Sequence, residues 1–189
     1  EDQGDAFGDL GVLFILIVIL VYIVMATQFE SLLFPFIIMF TIPFAFTGVF
    51  LALWMTSTPL SLIALIGAIM LVGIVTKNGI VMVDYMNLLV ERGSGVFDAV
   101  IAGGKSRLRP VLMTSFTTIL GMLPLAIGTG AGSETWQPMG IAVIGGLTCS
   151  TLLTLFIIPA LYSVFVNRSQ RKEKEKLARL SAEHQASVH

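Results

Sequence analysis

The chain has 189 residues, 56% of them hydrophobic and only 12% charged, a balance that excludes an ordinary soluble domain and points to an all-α membrane protein. The net charge of −1 says little about partners, because the charges are so unevenly spread. One cysteine, Cys149, excludes an internal disulfide, offers no metal-ligand spacing and reads as a small packing residue.

The opening Glu1-Asp2-Gln3-Gly4-Asp5 has neither an initiator Met nor the basic start of a signal peptide, so the chain reads as a piece of a longer protein. Residues 1–9 form an extracytoplasmic lead-in, residues 10–166 a transmembrane bundle and residues 167–189 a cytoplasmic tail. A spanning helix needs about 20 apolar residues. Five segments meet that length: Leu10–Thr27, Leu32–Met55, Leu60–Leu89, Pro110–Gly128 and Met139–Val166. The first two gaps, Gln28–Ser31 and Thr56–Pro59, are too short for anything but antiparallel hairpins. Pro43 and Pro124 interrupt the second and fourth spans and leave backbone carbonyls that neighbouring helices or water must meet. Ala64 with Ala68, and Gly145 with Cys149, have the spacing of small residues that let helices approach closely.

Between the third and fourth spans, Arg92, Lys105, Arg107 and Arg109 place the loop in the cytoplasm. The tail, carrying Arg168, Arg171, Lys172, Lys174, Lys176 and Arg179, belongs on the same side, and an odd number of spans then puts the N-terminus outside. Trp54 and Trp136 fall at outer helix ends, where amphipathic rings prefer the interface. Residues 94–104, with Val96, Phe97, Val100 and Ile101 at helical spacing, are expected as a short interfacial helix. The tail reads as a charged, solvated helix, and His184 and His189 are too isolated within it to suggest a metal site.

Lys77 is the only basic residue inside a span; the other ten lie in Arg92–Arg109 and Arg168–Arg179. A charge there costs about 2.5–3.5 kcal/mol on insertion scales and marks a functional position. Two accounts of it stand side by side. In one, Lys77 snorkels toward Asp84, seven positions on and roughly 10 Å along the axis. In the other, a partner comes from a different helix, because two turns are too many for a direct pair and Asn78 is a second polar group at the same depth. The fourth span offers Thr114, Ser115, Thr117 and Thr118, whose bland role is bonding to the carbonyl four residues earlier. No mid-membrane carboxylate is present to neutralise Lys77, so the ammonium is either uncharged or paired with an acid outside this sequence.

The run Gly73-Ile74-Val75-Thr76-Lys77-Asn78-Gly79-Ile80-Val81-Met82-Val83-Asp84-Tyr85, then Arg107-Leu108-Arg109-Pro110-Val111-Leu112-Met113-Thr114-Ser115, then Gly128-Thr129-Gly130-Ala131-Gly132-Ser133, resembles the resistance-nodulation-division (RND) efflux transporters, hydrophobe/amphiphile branch. Ala26-Thr27-Gln28-Phe29-Glu30-Ser31, with Pro35 and Ile42-Pro43, extends the likeness upstream. The resemblance implies the last five of twelve spans in a multidrug proton/drug antiporter of the bacterial inner membrane, driven by the proton motive force. Lys77 matches a lysine that pairs with two aspartates of the fourth span of the full pump. Thr114 matches a threonine of that proton relay and Arg107 an arginine at its cytoplasmic mouth; Asn78 and Asp84 match further polar positions. It also implies a homotrimer joined to the N-terminal half, a periplasmic adaptor and an outer-membrane channel, with hydrophobic or amphiphilic compounds taken by upstream domains. Gly79, where many relatives carry Ala, and Glu134-Thr135-Trp136 are mild departures. Two rivals remain: an RND-type component of protein translocation, and a non-transporting truncated scaffold. Upstream coding sequence discriminates, through seven further spans and adjacent aspartates or a start codon before Glu1. No nucleophile-base arrangement, phosphate loop, cofactor motif or nucleic-acid signature is legible, so an enzyme is not expected.

Overall fold

The computed structural model describes residues 2–130 and 132–187 and is helical apart from its connections. Six helices follow in order: α1 Asp2–Phe29, α2 Leu33–Met39, α3 Ile42–Met55, α4 Leu62–Glu91, α5 Val96–Ile127 and α6 Ser133–Ser187. Five spans result, because α2 and α3 together form the second.

The break in that span lies at Phe40-Thr41, just ahead of Pro43. Proline has no N–H to donate and its ring crowds the preceding turn, so a helix restarts there more readily than it continues. The Thr41 hydroxyl donates to the Ile38 carbonyl at 2.6 Å, beside the bond from the Thr41 N–H at 3.0 Å. Pro124, by contrast, is carried inside α5 without a break. The start of α4 is set by Ser61, whose Oγ accepts from the Ala64 N–H at 3.2 Å as an N-cap. The end of α5 is set by Gly128, in the left-handed region at φ 75°.

Three boundaries differ from the sequence expectation. The helix expected over 94–104 is the N-terminal part of α5 and runs on into the fourth span as one element. Its buried residues Val96, Ala99 and Gly103 explain this: they pack inward, and Gly103 lies against Met86 of α4. The helical lead-in begins at Asp2, with Glu1 outside the described residues. The tail continues α6 to Ser187 rather than forming a separate short helix, and the last two residues, including His189, lie outside the described residues.

The core holds two clusters. Met25, Ile37, Ile38, Met82, Met86, Ile158 and Tyr162 build one. Ala45, Val49, Ala64, Ala68, Leu71, Ala142 and Leu147 build the other. α6 is the central post, packed on α3, α4 and α5. Its approach to α3 is close enough that a methyl on Gly48 would stand 2.5 Å from Cys149 Cβ and 2.7 Å from the Gly145 carbonyl. Cys149 is therefore a small packing residue, as its setting in the sequence suggests. α1 is the opposite extreme, since only 6% of its apolar stretch is buried within the chain.

Candidate functional site

The exposed residues of α4 trace a single stripe. Ile66, Met70, Gly73, Lys77, Asp84, Leu88 and Glu91 follow one another at steps of three, four and seven, the spacing at which side chains of an α-helix share a face. Lys77 stands near its middle. On one flank, Gly73, Thr76, Lys77 and Ile80 line an apolar groove of about 280 Å³ against Leu20, Val21 and Val24 of α1. On the other flank, Tyr85 meets α5. The back of α4, around Val75, Met82 and Met86, is buried in the two cores. Lys77 thus faces away from the bundle between α1 and α5.

α5 presents a matching stripe. Gly103, Arg107 and Thr114 are separated by four and seven residues and share the side of α5 that meets α4. Gly103 packs on Met86, and the Arg107 guanidinium carbon lies 4.5 Å from the centroid of the Tyr85 ring. These two contacts fix the level of one antiparallel helix against the other. From Tyr85 up to Lys77 is eight residues, about 12 Å, and from Arg107 up to Thr114 is seven, about 10 Å. Lys77 and Thr114 therefore stand at nearly the same depth, and both are exposed.

The remaining sequence candidates separate. Asp84 is exposed on the Lys77 stripe, and among the described residues the two form no ion pair. Asn78 is buried to 7% exposure; it follows Lys77 directly, so it is turned about 100° from it, onto the flank that Tyr85 shares. The Thr114 hydroxyl donates to the Pro110 carbonyl at 2.6 Å, and Thr117 and Thr118 bond back to Met113 and Thr114 at 2.8 and 2.9 Å. This is the bland arrangement the sequence allowed, and it leaves the oxygen of Thr114 free to accept. Ser115 departs from it: its hydroxyl and that of Thr151 are 2.8 Å apart across the buried α5–α6 contact.

Two further pairings were not foreseen. Tyr162 of α6 donates to Asn87 of α4 at 2.7 Å, and Tyr85 lies under Arg107. The signal for the second was available: Tyr85 is seven residues from Asn78, one residue from Asp84 and within the polar run of α4. Among the described residues no group of His, Cys, Asp or Glu is arranged to hold a metal ion. In the Gly-rich connection after α5, Gly128, Gly130 and Gly132 lie at φ 75°, 139° and 81°, and the Ser133 hydroxyl donates to the Gly130 carbonyl at 2.7 Å. Ala131 within it lies outside the described residues.

A family model described as the AcrB/AcrD/AcrF family matches residues 1–166. The chain belongs to the AcrB/AcrD/AcrF family. These are the RND efflux transporters that the motifs resemble, and five spanning helices make this member a multi-pass membrane protein. It is 44% identical over 156 residues to the multidrug resistance protein MdtC of Erwinia tasmaniensis, covering 82% of this chain and 15% of that one. It is 39% identical over 172 residues to the swarming motility protein SwrC of Bacillus subtilis, covering 90% and 16%. A crystal structure of a heavy metal efflux pump superposes with a TM-score of 0.81 at 32% identity, over 88% of this chain and 17% of that one. The chain thus spans about a sixth of the length of the AcrB/AcrD/AcrF relatives it matches.

Proposed function

We propose that this chain is the C-terminal membrane part of a proton-driven efflux pump, with Lys77 at its proton-coupling site. The observation that carries the reading is the exposed Lys77 at the level of Thr114, on a face with Arg107 below and no acid paired to the ammonium among the described residues. A lysine charge facing hydrocarbon is costly, so it needs a partner surface. In this reading the N-terminal half supplies it, with the pair of carboxylates that the family resemblance implies.

The mechanism follows from electrostatics. Two carboxylates beside Lys77 form a strongly coupled cluster, in which one added proton changes the balance of charge. The ammonium is then held less firmly and turns toward the free acceptor of Thr114. In this reading Arg107 sits at the cytoplasmic mouth, as the family resemblance implies, while Asp84 lies on the Lys77 stripe and Asn78 is buried beside it. Moving one charge across the membrane is worth about 2.3 kcal/mol per 100 mV. That energy rocks the helices, and the motion drives extracytoplasmic domains that bind the exported compound.

The exported compounds are hydrophobic or amphiphilic. MdtC, a multidrug resistance protein by name, is the relative with the higher identity, ahead of the heavy metal pump. The working protein is a homotrimer in the bacterial inner membrane, N-terminus outside and C-terminus in the cytoplasm, coupled to a periplasmic adaptor and an outer-membrane channel. Lys77→Met in the complete transporter is expected to abolish export at unchanged expression. Undiminished drug resistance in that variant would overturn the proposal.

A further inference from the structure

Arg107 is held in an unusual way. Its guanidinium carbon lies 4.5 Å from the centroid of the Tyr85 ring, and it forms no ion pair among the described residues. Its Nε is buried and has no hydrogen-bond partner. An aromatic face attracts a cation through its quadrupole without cancelling the charge, whereas a carboxylate at the same place would neutralise it. The stacking is set up by the backbone: one turn before Arg107, Gly103 has no side chain, and a methyl there would stand 2.7 Å from Cγ of Met86, the residue after Tyr85. α5 therefore packs closely on α4 beside the ring.

We propose that Tyr85 is a positioning residue of the proton relay, its ring face holding the Arg107 guanidinium in place at the edge of the Lys77 surface. The inference rests on the role proposed above for Arg107. A ring contact keeps the cation in place yet releasable, and it leaves the buried Nε–H as a donor for a water chain or for an acid of the N-terminal half. The aromatic face, and not the phenol hydroxyl, is the group that acts.

The test uses the complete transporter in everted membrane vesicles, with proton-driven uptake of a fluorescent amphiphilic dye as the readout at matched protein levels. Tyr85→Phe and Tyr85→Trp keep a ring and are expected to stay within about twofold of the unsubstituted protein. Tyr85→Leu keeps apolar bulk without the ring and is expected to slow uptake about three- to tenfold, inside the roughly two- to thirtyfold range that loss of one cation–π contact gives. Tyr85→Met repeats the test if Leu lowers expression. In an Arg107→Gln background the same change is expected to cause no further loss. The proposal is overturned if Tyr85→Leu transports normally, if Tyr85→Phe is as slow as Tyr85→Leu, or if the loss persists undiminished beside Arg107→Gln. Normal uptake with Lys77→Met would instead remove the relay itself, so the two failures are distinguishable.

Discussion

Lys77 of α4 and Thr114 of α5 stand at the same depth on one open face, although 37 residues separate them in the chain. Two contacts lower down, Gly103 with Met86 and Arg107 with Tyr85, set that register. The face is apolar around the lysine, and on the α1 side it forms a groove of about 280 Å³.

Removing the Thr114 hydroxyl should weaken coupling while leaving the bundle intact, because the group is exposed and bonds only to its own helix. Thr114→Ala in the complete transporter is expected to lower export about a hundredfold, the low end of losses for groups that assist proton transfer. Thr114→Ser, which keeps the oxygen, should retain most activity. Drug susceptibility at equal expression measures both.

Asp84 shares the Lys77 stripe but is not its ion-pair partner. Asp84→Asn should therefore leave export within about twofold, the scale of an exposed charge contributing under about 0.5 kcal/mol. A loss matching that of Lys77→Met would show that the lysine depends on this carboxylate after all.

The Ser115–Thr151 contact is buried between α5 and α6. Interhelical hydrogen bonds in membranes average about 0.6 kcal/mol and reach about 1.7. Ser115→Ala and Thr151→Val should each lower thermal stability in detergent by about that amount. Combining them should add little, since the first change already removes the shared bond.

Gly48 has no room for a side chain, with Cys149 Cβ 2.5 Å and the Gly145 carbonyl 2.7 Å from where a methyl would be. Gly48→Val should force α3 from α6 and cost about 1–3 kcal/mol or more, the range for overpacking. Gly104→Ala, where a methyl meets nothing within 4 Å, serves as the control. Melting of the purified protein compares the two.

Much of the architecture was legible because the bilayer imposes it. A helix must satisfy its own backbone in hydrocarbon, so length and apolarity alone located five spans; of the two prolines expected to interrupt a span, Pro43 follows a break and Pro124 does not. The segment 94–104 is helical as its spacing suggests, and it runs on into the fourth span without a break. Gly103 against Met86 shows why it is the base of α5. Thr114, Thr117 and Thr118 bond as their spacing suggested, while Ser115 does not, since its partner is 36 residues away.

By itself the sequence determined which residues carry charge in the membrane and which segments cross it. Those are local properties, fixed by the cost of polar groups in hydrocarbon and by the period of a helix. Only the tertiary structure decided that Lys77, Thr114 and Arg107 share one face, that Asn78 turns off it, and that a tyrosine ring holds the arginine. Such relationships depend on how α4 and α5 are rotated and slid against each other. That register is set by close contacts of small residues such as Gly103, whose partners sequence spacing does not name.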